Sequence, residues 1–134
     1  MFNKVKSVSE LLNQWQHDSQ MKERIVHWHT LEGKPAHYKP FPETLHPSIQ
    51  KALKARGIEQ LYSHQYEAFI QAEKGQSFTA ITPTASGKSY CYHLPVLQKI
   101  LEDKSARALY LFPTKALAQD QKTDVNEFIE LMEE

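Results

Sequence analysis

The sequence predicts an α/β protein with a parallel sheet, and three observations carry that reading. Phe78 to Thr82 is a short strand candidate, and a phosphate-loop pattern follows it at once. Ala108 to Phe112 (ALYLF) is a continuous apolar run, which suits a strand covered on both faces. A helical pattern follows each run, from about Lys88 to Asp103 and from Lys115 to Met132. Strand, helix, strand, helix is a βαβα order, which implies parallel pairing through a right-handed crossover.

The segments before this unit read as follows. Ser7 and Glu10 form an S-x-x-E capping box, and Val8, Leu11, Leu12 and Trp15 recur at helical spacing. A first helix from Ser7 to His17 is expected. Ile25 to Leu31 (IVHWHTL) alternates and reads as a strand. Glu32 to Pro42 holds one Gly and three Pro and reads as a loop. Pro47 suits the start of a second helix that ends at Gly57. Ser63 can cap a third helix that ends at Gly75. The last helix places Leu117, Gln121, Val125, Phe128 and Met132 on one side. The chain thus divides into an accessory segment, 1–43, and an α/β part, 44–134.

Composition bounds the function. The chain has 134 residues, enough for one modest domain. Sixteen Lys and Arg balance 16 Asp and Glu, so any attraction to nucleic acid must be local. The single cysteine, Cys91, excludes an intrachain disulfide and suits a reducing compartment. The opening residues lack the apolar run of a signal peptide, and no stretch approaches the roughly 20 apolar residues of a membrane span. A soluble, cytoplasmic protein with no membrane partner is expected.

The phosphate loop reads Thr82, Pro83, Thr84, Ala85, Ser86, Gly87, Lys88, Ser89. The full pattern is G-x-x-x-x-G-K-[ST]; here Thr82 replaces the first Gly. A polyphosphate needs inward backbone N–H groups, and Gly87 permits the close approach. Lys88 brings a compact charge to the β- and γ-phosphates, and Ser89 offers a hydroxyl to Mg²⁺. The helix that begins there adds its positive end. A bare GKS in a polar turn is common, but a strand before it and a helix after it favour the functional reading.

Gln65 falls on the inward stripe of the third helix with Ala68, Phe69 and Ala72. A buried amide needs partners, and its donor and acceptor match the N6 and N7 edge of adenine. Gln65 is thus a candidate adenine reader; the plain alternative is a rim residue bonded to water or backbone.

Three motifs now stand in order. Gly57-Ile58-x-x-Leu61-Tyr62-Ser63-His64-Gln65 resembles the Q motif of DEAD/DEAH-box superfamily 2 helicases. TPTASGKS resembles their motif I, in which the first Gly is often another small residue. Pro113-Thr114-Lys115-Ala116-Leu117-Ala118-Gln119 resembles motif Ia, PT-[RK]-x-L-x-x-Q. The match covers roughly Gly57 to Gln121. HPSIQKALKARGIEQLYSHQYEAF and HLPVLQKIL resemble the bacterial MrfA (YprA) type of DNA-repair helicase.

The resemblance implies the front part of a RecA-like P-loop domain that binds ATP and Mg²⁺. It implies that Pro113, Thr114, Lys115 and Gln119 meet the backbone of single-stranded or partly duplex DNA, with 3′-to-5′ movement. Physically, a Thr hydroxyl, a helix start and a Lys all suit phosphate and hold position without reading sequence. By itself the segment also reads as an ordinary strand-to-helix turn. The family's cysteine-rich zinc module has no counterpart here.

A helicase also needs an acidic DExD or DExH pair, to hold Mg²⁺ and to position the attacking water. Glu102-Asp103 ends a helical pattern and follows no strand, and Glu133-Glu134 lies inside one. The chain therefore reads as stopping before that motif, and by itself as inactive. Two other classes stay open: a different P-loop NTPase such as a metabolite kinase, and a non-catalytic binding module. His27 and His29 share a strand face but lack a third metal ligand. Pro95 is expected to kink its helix, Lys51 and Lys54 to form a solvated face, and Cys91 to be a small buried residue.

Overall fold

Residues 7–33, 35–83 and 86–133 are described in a computed structural model of the chain. Thr84, Ala85 and Glu134 therefore lie outside the described residues. The chain forms two compact units that divide between Pro35 and Ala36.

The first unit contains α1 (Val8–His17) and α2 (Ser19–Arg24). The Ser7 capping box forms as expected. The Glu10 N–H donates to Ser7 Oγ at 3.2 Å, and the Ser7 N–H donates to Glu10 Oε2 at 2.8 Å. Asp18 ends α1 and caps α2 by accepting from the Met21 N–H. The alternating run Ile25 to Leu31 is not a strand. Alternation marks a half-buried strand only where a neighbour supplies a ladder and a core, and here Val26 is 98% exposed.

The second unit contains β1 (Tyr38–Lys39), α3 (Pro47–Ala55), β2 (Leu61–Tyr62), α4 (Ser63–Glu73), α5 (Ser89–Glu102) and α6 (Lys115–Glu133). Pro47 takes the first turn of α3, where its missing N–H costs nothing. α4 starts at Ser63, but Tyr62, not Ser63, occupies its N-cap position. α5 runs through Pro95 as one helix. β1 falls within the stretch expected to be a loop and pairs antiparallel with β2, Tyr38 opposite Tyr62.

The core is helical. Ile49, Ala52 and Leu53 of α3 meet Leu61, Phe69 of α4, Leu94 and Leu97 of α5, and Phe128 of α6. Gln98 of α5 is buried, but its amide is satisfied. It accepts from the His46 N–H at 2.9 Å and donates to the Thr44 carbonyl at 3.2 Å, tying α5 to the turn before α3. Cys91 is buried as expected, and burial pushes its thiol pKa up.

The expected parallel sheet is not formed. Among the described residues the only sheet is the β1–β2 pair. Phe78 to Thr82 and Ala108 to Phe112 have no strand partners among the described residues, and only their first residues, Phe78 and Ala108, border an open groove of about 610 Å³ along α5. A run apolar on both faces has no reason to become a strand until neighbours cover it. Ile81, Leu109 and Leu111 are 88%, 85% and 83% exposed.

Arg56, just after α3, fastens α6. Its guanidinium donates to Asp124 Oδ1 at 2.7 Å, the Asp124 carbonyl at 3.0 Å and the Tyr90 hydroxyl at 3.1 Å. It also lies 5.1 Å from the centre of the Phe128 ring. Arg56→Ala should cost roughly 1–2 kcal/mol in chemical denaturation, since charge-assisted bonds are lost at a partly exposed site. Arg56→Lys should not restore it, because an ammonium cannot hold this fork. Equal stability of wild type and Arg56→Ala would contradict the assignment.

Candidate nucleotide-binding site

Glycine 87 sets the geometry of the loop. Its φ is +70°, in the left-handed region that a Cβ disfavours. A Cβ there would also stand 2.5 Å from Gln65 Nε2. The absent side chain is what lets α4 and the loop touch. Gln65 Nε2 donates to the Gly87 carbonyl at 2.9 Å, and Gln65 Oε1 accepts from the Tyr62 N–H at 2.9 Å. His64 makes a second tie, its Nε2 lying 2.9 Å from the Ser86 carbonyl. Gln65 is 3% exposed, so it is the buried, partnered amide that its position demanded. Its acceptor serves as the third-residue half of a capping box on α4, a role that sequence reasoning missed.

The remaining loop residues converge on Lys88. Its Nζ donates to the Thr82 carbonyl at 2.9 Å and the Pro83 carbonyl at 2.6 Å, and lies 3.4 Å from Ser86 Oγ. Thr82 Oγ1 and Ser86 Oγ are 2.5 Å apart. Thr82 thus contributes a hydroxyl that the expected Gly would lack. Ser89 opens α5, and Lys88 in the N-cap position supplies no side-chain cap. The stretch from Thr82 to Lys88 is neither helix nor strand where it is described, as a phosphate loop must be.

The second candidate segment is exposed. Pro113, Thr114, Lys115 and Gln119 all face solvent. Thr114 sits before α6, and its Oγ1 accepts from the Leu117 N–H at 3.2 Å. Lys115 is the first residue of α6.

A polar cluster missed by sequence reasoning lies between the two segments. The Tyr92 hydroxyl donates to Gln121 Oε1 at 2.7 Å and lies 3.3 Å from Ser89 Oγ. His93 Nε2 lies 3.3 Å from Gln121 Oε1, and His93 Nδ1 lies 3.3 Å from the Tyr110 hydroxyl. Gln121 sits on the apolar side of α6, so the rule that singled out Gln65 would have found it too. Burial lowers the His93 pKa, opposed by its bond to Gln121. Burial raises Tyr110 to about 12.

Glu102 and Asp103 do not form a metal site, and Glu134 of the second pair lies outside the described residues. Glu102 accepts from Gln98 and Lys99, and Asp103 accepts from Ser105. Among the described residues no group of three or more His, Cys, Asp or Glu could hold a metal. His27 and His29 only stack on each other, 6.1 Å apart. No helix among the described residues is long and apolar enough to cross a membrane.

The model for the DEAD/DEAH box helicases matches residues 62–133, more than half of the chain. The chain belongs to the DEAD/DEAH box helicase family. Gln65, the phosphate loop and the Pro113 segment all fall inside the matched helicase region. A related helicase, the uncharacterized ATP-dependent helicase YprA of Bacillus subtilis (strain 168), is 52% identical over 96% of this chain and 17% of its own length. The ATP-dependent helicase hrq1 of Schizosaccharomyces pombe (strain 972 / ATCC 24843) is 37% identical over 94% of this chain and 12% of its own. The crystal structure of the DUF1998 helicase MrfA bound to DNA and AMPPNP is 50% identical, with a TM-score of 0.78 over 96% of this chain and 18% of that one. The fold is therefore that of a RecA-like helicase region, mostly helical as described. This DEAD/DEAH box chain spans less than a fifth of the length of these relatives.

Two substitutions test the geometry. Gly87→Ala should cost about 1–2 kcal/mol for its left-handed backbone. Displacing the Gln65 amide should add about 1–3 kcal/mol. Gly75→Ala, at φ +68° with nothing within 4 Å, carries only the backbone cost. Denaturation midpoints should fall further for Gly87→Ala; equal shifts would refute the close approach. The His93 pKa is lowered in the fold, so the unfolded state binds more protons below the ordinary value of about 6.5. Stability should be full above that pH and fall as acid approaches the folded pKa. His93→Gln should flatten the acid side of urea denaturation midpoints measured across pH; an unchanged slope would show that His93 titrates normally.

Proposed function

We propose that this chain is the ATP-binding front of an ATP-dependent 3′-to-5′ DNA helicase that acts in DNA repair. The observation that carries the reading is the loop held by Gln65 and Gly87, with the Lys88 ammonium resting on the Thr82 and Pro83 carbonyls and near Ser86 Oγ. Those carbonyls are weak stand-ins for phosphate oxygens, which bind an ammonium more strongly. The residues present fit ATP and Mg²⁺. Lys88 neutralises the β- and γ-phosphates, and Gly87 with Thr82, Pro83, Thr84, Ala85 and Ser86 wraps them. α5 adds the positive end of a helix that no side chain caps. Ser89 holds its hydroxyl toward the metal. When bound, Mg²⁺ neutralises charge on the transferred phosphate.

Gln65 in this reading serves two ends. One lone pair of its oxygen and one N–H remain after its two backbone bonds, and they suit the adenine edge. Pro113, Thr114, Lys115 and Gln119 lie exposed at the start of α6 and meet the sugar–phosphate backbone of single-stranded or partly duplex DNA. DNA is favoured as substrate because the MrfA match, at half identity, was bound to DNA. Residues 44–134 form the front of the ATP-binding domain, and 1–43 an accessory segment.

The test is nucleotide titration. ATP should bind wild type at least about tenfold more tightly than Lys88→Ala, since a charge-assisted phosphate contact is lost. Gln65→Ala should lose preference for ATP over GTP. Equal ATP affinity in wild type and Lys88→Ala would reject the proposal. The 134-residue chain by itself should not turn over ATP faster than Lys88→Ala. No acidic pair stands at its loop, and phosphoryl transfer depends on such positioning.

A further inference from the structure

We propose that Tyr92, His93, Gln121 and Tyr110 form a mechanical relay that passes occupancy of the phosphate loop to the Pro113–Gln119 segment. The inference rests on the nucleotide and nucleic-acid assignments just made and adds how the two are joined. Three features of the geometry support it.

First, the cluster brackets the segment. Tyr110 lies three residues before Pro113, and Gln121 lies two residues after Gln119. Gln121 is hydrogen-bonded to both Tyr92 and His93, one turn into α5, and Tyr110 is hydrogen-bonded to His93 while its ring meets that of Tyr92. Any shift of that turn must move both flanks of the segment together.

Second, two hydrogen-bonded arms converge on a single acceptor, Gln121 Oε1. Gln121 Oε1 can only accept, so His93 Nε2 carries its proton and Tyr92 donates. His93 Nδ1 in the neutral ring then accepts from the Tyr110 hydroxyl. Tyr92 has one proton, already given to Gln121, so the 3.3 Å contact with Ser89 has the serine as donor. One arm thus runs from Ser89 through Tyr92 to Gln121 on α6, and the other from Tyr110 through His93 to the same oxygen. A ligand that takes the Ser89 oxygen keeps the serine proton aimed at Tyr92 and fixes the first arm, and the shared acceptor ties the second to it.

Third, little else holds the stretch before the segment. Leu109 and Leu111 are 85% and 83% exposed, whereas Tyr110 packs edge-on against Tyr92 and His93, with ring centres 5.8 and 5.4 Å away. The Tyr110 contact is therefore the anchor through which the stretch senses α5.

The experiment measures linkage in the full-length protein. AMPPNP affinity with Mg²⁺ is determined with and without a saturating single-stranded oligonucleotide of mixed sequence. In wild type the two affinities should differ by a factor of about five or more. Tyr92→Phe, which deletes one oxygen, and Gln121→Leu should bring that ratio to within about twofold of one, with each ligand's separate affinity changed little. Gln121→Glu keeps the acceptor and should retain most of the linkage. Tyr92→Phe combined with Gln121→Leu should do no more than either single change. A wild-type ratio of one, or unchanged linkage in both variants, would overturn the relay. So would loss of AMPPNP binding by itself in either variant, which would make the cluster part of the loop. AMPPNP binding indifferent to Lys88→Ala is a different failure and would sink the functional reading beneath it.

Discussion

One close approach organises the second unit: the Gln65 amide against the Gly87 carbonyl at 2.9 Å. It exists because residue 87 has no Cβ and adopts a backbone that other residues resist. The same amide closes the first turn of α4 by accepting from Tyr62. One buried side chain thereby fixes where a helix begins and where the loop lies, without an unsatisfied polar atom. Burying an amide is costly unless both ends are bonded, so the position tolerates few alternatives.

α5 is the element on which the other parts converge. Its N-terminus is the end of the loop, its middle supplies Leu94 and Leu97 to the core, and Gln98 near its end reaches back to the turn before α3. Tyr90 receives Arg56, and Tyr92 and His93 face Gln121 and Tyr110. The two candidate ligand segments are thus attached to one rigid rod.

Local signals in the sequence translated well where the physics is local. The Ser7–Glu10 box, Pro47 at the first turn of α3 and the helical spacing of α6 each depend on residues within a turn of each other. The irregular loop before α5 is legible because Gly87 interrupts regular structure just ahead of a helical pattern. Gln65 was visible as a polar residue on an apolar stripe. Its partners were not, since they lie 22 residues away or in the cap of its own helix. Gln121 carries the same signal, a polar residue on the apolar side of α6. The strand readings failed for another reason. Ile25 to Leu31, Phe78 to Thr82 and Ala108 to Phe112 have strand-like patterns, but a pattern supplies no hydrogen-bond partner.

The sequence by itself determined five of the six described helices, all but α2, and the family to which the chain belongs, because short-range spacing and motif residues encode them directly. Only the tertiary structure decided that Gln65 and His64 grip the loop, that Lys88 folds onto its own carbonyls, and that Tyr92 and His93 meet Gln121. Those are contacts between elements distant in sequence, and their geometry is set by how helices pack around Phe69, Leu94 and Phe128. It also decided that the apolar runs Phe78 to Thr82 and Ala108 to Phe112 remain unpaired, since pairing is a property of two strands and not of one.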